Sequence, residues 1–299
     1  MEPIHSIPYC ESILADPKST VKDKYETLFH LKSHGSNTAV SALIKSYVHL
    51  RNSELLKHEL MYILGQINND MVVDFLIEVL NNHEEAPVVR HEAGEALANY
   101  SSHKSRILKE LKKFIDSDIS VLRSTVRIAI TKLTIYGPNN NYQKYLEGNI
   151  EPADPFTESE LQSYLDQKKV YHEDLLCILL DPELDEFIKY KIMYYLRDKG
   201  NEPSILTLFG LLDAKNRKGT TPLLRHEVCF ILGQLQGKAD YEFVKKGLYN
   251  VINDPSEESI VRHEAILSYS DIWGCSDLVD ILNREEERLI TESLYIVMN

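Results

Sequence analysis

The strongest constraint on this chain is that it repeats itself. Residues 54–68 read ELLKHELMYILGQIN, and residues 222–236 read PLLRHEVCFILGQLQ, 168 residues further on. Other segments recur at nearly the same offset. Tyr25–Gly35 (YETLFHLKSHG) returns as Tyr190–Gly200 (YKIMYYLRDKG) and Val88–Ala93 (VVRHEA) as Ile260–Ala265 (IVRHEA), and Leu122–Leu133 follows the latter motif as Ile290–Met298 follows its counterpart. Segments that return in one order at an almost constant distance mark two copies of one arrangement.

Within each half a shorter period is visible. His58 and His91 lie 33 residues apart, and His226 and His263 lie 37 apart. Apolar residues fall at helical spacing: Leu60, Ile63, Leu64 and Ile67 in one segment, then Phe75, Leu76, Val79 and Leu80 in the next. Short breaks at Ile67–Asp70 and Asn81–Pro87 separate them, and strand-like alternation is missing. Paired helices at this unit length predict an all-α chain, a HEAT-repeat α-solenoid of about eight helix-pair units in two pseudo-symmetric halves. The expected division is 1–136 for the first half and 166–299 for the second. Between them 137–165 is expected to be a linker or long loop, because it carries GPNNN and EPADPFTES with Pro138, Pro152 and Pro155.

Charge and composition narrow the function. The net charge of −13 is opposite to that of nucleic-acid binders, which gather Lys and Arg on one face, and it favours a basic partner. The apolar run Leu175–Leu180 is far too short to cross a bilayer. MEPIHSIPYC has no basic region followed by an apolar stretch. Cys10, Cys177, Cys229 and Cys275 show no CxxC spacing, which argues against a disulfide framework or a zinc finger. A reducing, cytoplasmic setting is expected, with no membrane and no nucleic acid.

The repeat also carries chemistry. With 11 histidines and 28 glutamates in 299 residues, about one His-Glu dipeptide is expected by chance, and six occur. His83-Glu84 sits in a turn-like NNHEEAP and His172-Glu173 at a helix start, so both read as solvated surface. The other four share one register: a basic residue (Lys57, Arg90, Arg225, Arg262), then His, then Glu, then an apolar helical run. Stacked repeats bring equivalent positions together, so His58-Glu59 should meet His91-Glu92, and His226-Glu227 should meet His263-Glu264. Four ionisable pairs where helices meet are costly unless their charge is compensated, and a divalent cation compensates it economically. Imidazole with carboxylate and no thiol in register suits non-haem iron or manganese better than structural zinc. Two His and one carboxylate per half, facing their counterparts across the pseudo-two-fold, would make a dinuclear site. Cys229, three residues after His226, reads as a small core residue, and Tyr62, Tyr194 and Tyr195 as helix packing.

Taken together, the paired units, the proline-rich junction, and the phrases VVRHEAGEALANY, LLRHEVCFILGQL and IVRHEA resemble the deoxyhypusine hydroxylase family over the whole chain. The resemblance implies a HEAT-repeat di-iron monooxygenase that uses O2 to hydroxylate deoxyhypusine on a basic loop of a translation factor, acting as a monomer. It implies that His58, His91 and Glu92 bind one Fe2+ and His226, His263 and Glu264 the other. Glu59 and Glu227 would sit beside the metals, as ligands or as receivers of the substrate amine. One departure is that Glu95, in AGEAL, is matched by Leu267 in the second half. Two other readings compete: a metal-free HEAT adaptor for a basic partner, and a HEAT-like bilin lyase, which lacks an evident catalytic cysteine.

Overall fold

In the computed structural model, the described residues are 6–50, 53–135, 152–169, 175–235, 242–282, 285 and 287–298, and among them there is no strand. Their α-helices, in chain order, are α1 (Ile7–Ala15), α2 (Val21–His34), α3 (Asn37–Ser46), α4 (Glu54–Gly65), α5 (Val73–Asn81), α6 (Pro87–Leu97), α7 (Lys104–Leu111), α8 (Ser120–Ile135), α9 (Glu158–Lys168), α10 (Leu175–Leu179), α11 (Glu186–Lys199), α12 (Glu202–Leu212), α13 (Pro222–Gly233), α14 (Glu242–Asn253), α15 (Ser259–Trp273), α16 (Val279–Leu282) and α17 (Arg288–Met298). The all-α repeat architecture is the expected one.

The helix starts are written locally. Ser53 accepts the Leu56 amide at 3.0 Å to open α4, and Thr221 accepts the Leu224 amide at 3.2 Å to open α13. Each satisfies a donor that the first turn leaves without an intrahelical partner. Pro222 and Pro87 occupy the first turn, where a missing N–H does no harm. The apolar stripe then buries itself. Leu55, Leu56, Leu60, Ile63 and Leu64 on α4 are buried, none more than 2% exposed, as are their counterparts Leu223, Leu224, Val228, Ile231 and Leu232 on α13. Each such side chain contributes about 1.5–3 kcal/mol.

Two compact units result, Met1–Ile150 with Glu287–Asn299, and Glu151–Glu286. In the first, α4 lies against α6, which lies against α8; in the second, α13 lies against α15. Small residues set how close these pairs come. A Cβ on Gly65 would stand 2.8 Å from Ala96 Cβ, and one on Gly233 would stand 2.6 Å from Ser268 Oγ. Only hydrogen fits there, so both glycines admit the neighbouring helix at the crossing that follows the His-Glu pairs.

The last helix joins the first unit. α17 packs on α2 and α4, and buried Glu292 accepts a 2.5 Å hydrogen bond from Ser53 Oγ, the residue that caps α4. Arg288 Nε in turn donates to Glu292 Oε1 at 2.8 Å. Part of the segment 137–165, expected as a linker or long loop, is helical. Residues 136–151 lie outside the described residues, but α9 begins at Glu158, inside 137–165. Thr157 and Glu160 form a capping box, with the Thr157 amide and hydroxyl both donating to Glu160 Oε2 at 2.8 Å. That start signal is masked in the sequence by the prolines before it. No helix among the described residues is long and apolar enough to cross a membrane.

Candidate metal centre

The basic residue of each motif anchors its helix. Arg90 Nε donates to Leu80 O at 3.1 Å, Arg225 Nη1 to Leu211 O at 2.6 Å, and Arg262 Nε to Ile252 O at 2.9 Å. Each carbonyl belongs to the last turn of the preceding outer helix, where peptide oxygens lack intrahelical partners and a cation is favoured. Lys57 instead donates to Glu85 at 2.6 Å, and Arg225 also pairs with Glu257 through Nε at 3.0 Å. Glu85 and Glu257 both lie six residues before the next motif's histidine. The helix carrying the first pair is thereby tied to the entry of the helix carrying the second. The sequence exposes the basic residue in all four motifs, but not where it reaches.

With the helices fixed, all eight motif residues are buried, none more than 9% exposed. In the first unit His58 Nε2 is 3.5 Å from Glu92 Oε2, His58 Nδ1 is 3.5 Å from Glu59 Oε1, and His91 Nε2 is 3.9 Å from Glu92 Oε2. The two imidazole centroids are 5.6 Å apart. Thr125 Oγ1, on α8, lies 3.3 Å from His91 Nδ1. The second unit repeats the central contact: His226 Nε2 is 3.5 Å from Glu264 Oε2. There Ser268 Oγ lies 3.2 Å from Glu264 Oε1, and the Tyr194 hydroxyl donates to Glu227 Oε1 at 2.5 Å. Tyr194 is packed as the sequence implies, but it also carries this polar contact, which reading it as packing alone misses. Aligning Tyr190–Gly200 with Tyr25–Gly35 would have flagged it, since the matching residue is Phe29. His83 is exposed in the turn before α6, and His172 lies outside the described residues.

Within the first unit, one donor set fits a metal ion. His58, His91 and Glu92 each offer a ligand atom, and these atoms lie within 4.8 Å of one another. Ligands about 2.0–2.2 Å from a common ion span comparable distances. The electrostatics point the same way. Burial opposes a charge on His58, yet Glu59 and Glu92 outweigh it and push its pKa up to about 10. Two carboxylates around one imidazole draw in positive charge, which a divalent cation supplies as well as a proton does. Cys229 is buried and its thiol is pushed well up by desolvation, the wrong direction for a thiolate ligand.

A helical-repeat protein with buried, duplicated His-Glu pairs that can hold a metal is the class that fold and site define. The chain is 30% identical to deoxyhypusine hydroxylase of Drosophila melanogaster, over 96% of this chain and 88% of that protein. It is 31% identical to the deoxyhypusine hydroxylase of Neurospora crassa, over 92% of this chain and 86% of that protein. The solved structure of human deoxyhypusine hydroxylase in complex with glycerol superposes with a TM-score of 0.79 at 27% identity, covering 98% of this chain and 94% of that one. No protein-family model matches the chain. The chain belongs to the deoxyhypusine hydroxylase family, a family of monooxygenase enzymes.

Proposed function

We propose that this protein is an O2-dependent, non-haem di-iron monooxygenase that hydroxylates the deoxyhypusine side chain of a translation factor to form hypusine. The observation that carries the reading is the convergence of His58, His91 and Glu92 donor atoms within 4.8 Å. His58, His91 and Glu92 would hold one iron, and His226, His263 and Glu264 the other. When bound, iron supplies the O2 chemistry that no protein side chain provides.

The chain's own residues do the rest. Glu59 and Glu227, each 5% exposed, receive the terminal ammonium of the long substrate side chain and so position its carbon chain. The Tyr194 hydroxyl holds Glu227 for that task. The leucine and isoleucine packing around the pairs excludes water from the reacting centre. The acidic surface, net −13, suits docking of a basic substrate loop. The enzyme acts in the cytoplasm, as a monomer, on a protein substrate. The sequence duplication behind it pairs 1–136 with 166–299.

Iron analysis beside substrate affinity tests the reading. Reconstituted protein should carry close to two irons per chain and hydroxylate its substrate only with O2. His91→Ala and His263→Ala should lose iron and turnover while circular dichroism stays helical. Glu59→Ala and Glu227→Ala should keep much of their iron and bind substrate poorly. Protein that takes up no transition metal after reconstitution overturns the proposal; glutamate variants that lose iron as fully as the histidine ones would make those carboxylates ligands.

A further inference from the structure

Lys32, on α2, is half-buried against α4, the helix that carries His58 and Glu59. Its Nζ lies over two rings, 5.4 Å from the centroid of Tyr62 and 5.6 Å from that of Phe29, and donates to Gln66 Oε1. Burial pushes the pKa of this ammonium down, and the field of Glu59 opposes the shift. A primary ammonium on an alkyl stem thus stands within the field of a carboxylate that is 5% exposed.

The place recurs in the second half. Arg197, 165 residues further on, lies over the Tyr194 ring at 4.8 Å and donates through Nη1 to Gln234 Oε1 at 3.0 Å. Tyr194 and Gln234 match Phe29 and Gln66 in the repeat. Arg197 is also bonded to its neighbour Asp198, through Nε at 3.0 Å and Nη2 at 2.9 Å. Beside Lys32 that neighbour is Ser33, and the carboxylate whose field reaches the lysine is Glu59.

An ionised carboxylate this deep needs a counter-charge whether or not substrate is bound. Two rings and an amide oxygen hold an ammonium by dispersed attraction, and a lysine stem is flexible enough to leave and return. The ammonium that Glu59 receives from the substrate is a group of the same kind, so the two compete for one carboxylate. A free amine, held by nothing else, is at a disadvantage in that competition. A side chain delivered by a docked protein arrives at high effective concentration and wins it.

We propose that Lys32 is the resident counter-ion of Glu59, which the substrate ammonium displaces, so that Lys32 selects protein-borne ammonium over free amines and limits affinity for substrate and product alike. The proposal rests on the reading that Glu59 receives the substrate ammonium.

Calorimetric titration of iron-loaded, full-length protein with its deoxyhypusine-bearing protein substrate, kept free of O2 so that nothing turns over, tests it. Lys32→Met removes the charge and keeps the stem. It should bind substrate about 10-fold more tightly, the low end of what a neighbouring charge is worth to a carboxylate. n-Butylammonium should also bind this variant about 10-fold more tightly than it binds the parent protein. Lys32→Arg, which keeps the charge, should show neither gain. In a Glu59→Gln background Lys32→Met should add nothing, because the contested charge is gone. Lys32→Gln repeats the comparison with a polar side chain, and circular dichroism reports the fold. Folded neutral variants that bind no more tightly, a gain that persists in Glu59→Gln, or loss of fold in both neutral variants overturns the proposal while sparing the role of Glu59. Glu59→Gln protein that binds substrate as well as the parent overturns both.

Discussion

Glu257 sits at the junction of two cations, and replacing it with glutamine should be among the more damaging single changes in the molecule. Arg225 is 1% exposed, and it donates to Glu257 through Nε at 3.0 Å and through Nη2, beside bonds to Leu211 O at 2.6 Å and Leu212 O at 3.0 Å. Arg217 Nη2 adds a contact at 3.2 Å. Glu257→Gln keeps the shape and removes the charge, leaving a guanidinium buried without its counterion. Breaking a buried pair in this way costs about 3–5 kcal/mol. The two carbonyl contacts survive, and Arg217 keeps Asp254 at 2.6 Å, so the expected loss lies near the lower end, about 3 kcal/mol. The equivalent change in the first half, Glu85→Gln, should be milder. Lys57 has one carboxylate contact and an 11% exposed side chain, so its ammonium can turn towards water; about 1 kcal/mol is expected. Urea unfolding of metal-free protein measures both, free of stabilisation by bound ions. A Glu257→Gln midpoint no lower than that of Glu85→Gln refutes the reasoning.

Gly65→Ala should destabilise by about 1–3 kcal/mol and loosen metal binding, because its Cβ meets Ala96 at 2.8 Å and backbone must move. Gly94→Ala, whose Cβ meets Thr125 Cγ2 at an ordinary 3.5 Å, should be neutral or slightly stabilising by calorimetry. His83→Ala should leave iron content unchanged by elemental analysis and stability within about 0.5 kcal/mol. Asp254 is held down to about 2, first by the Ser256 hydroxyl and then by Arg217 against the opposing effect of burial. Its ionised form therefore supports the fold above the unfolded value of 3.8, and that support fades as pH falls through about 2. Asp254→Asn should flatten the dependence of Tm on pH across that window and leave other pH ranges alone.

The helical array and the eight motif residues were legible because both depend on spacing. Leu60, Ile63 and Leu64 announce a helix face, and four basic-His-Glu triplets in register announce a purpose beyond packing. What the triplet's first residue does was hidden, since the reach of Arg90 to Leu80 O depends on where the preceding helix stops. The Tyr194 hydroxyl was overlooked for a similar reason. A tyrosine on an apolar stripe looks like packing until the distance across to the next helix is known. The placing of α17 was the least legible. Its position, matching that of Leu122–Leu133, suggests a neighbour in its own half, as repeat arrays ordinarily provide, yet it lies on α2 and α4. Nothing in a local pattern encodes a partner that distant.

That placement has a consequence for how the protein is made. Ser53 and Glu292 are separated by 239 positions, so the N-terminal unit cannot close when its own stretch leaves the ribosome. Closing so long a loop adds little to the equilibrium, because loop entropy grows only logarithmically. It matters for timing: the apolar surface of α2 and α4 that α17 covers waits, uncovered, until α17 itself has been translated. Domains usually fold as units in the order of synthesis. Here the unit whose N-terminal part emerges before the other is finished after it, and a message ending before Arg288 would yield a protein missing a wall of that earlier unit rather than a neatly shortened later one.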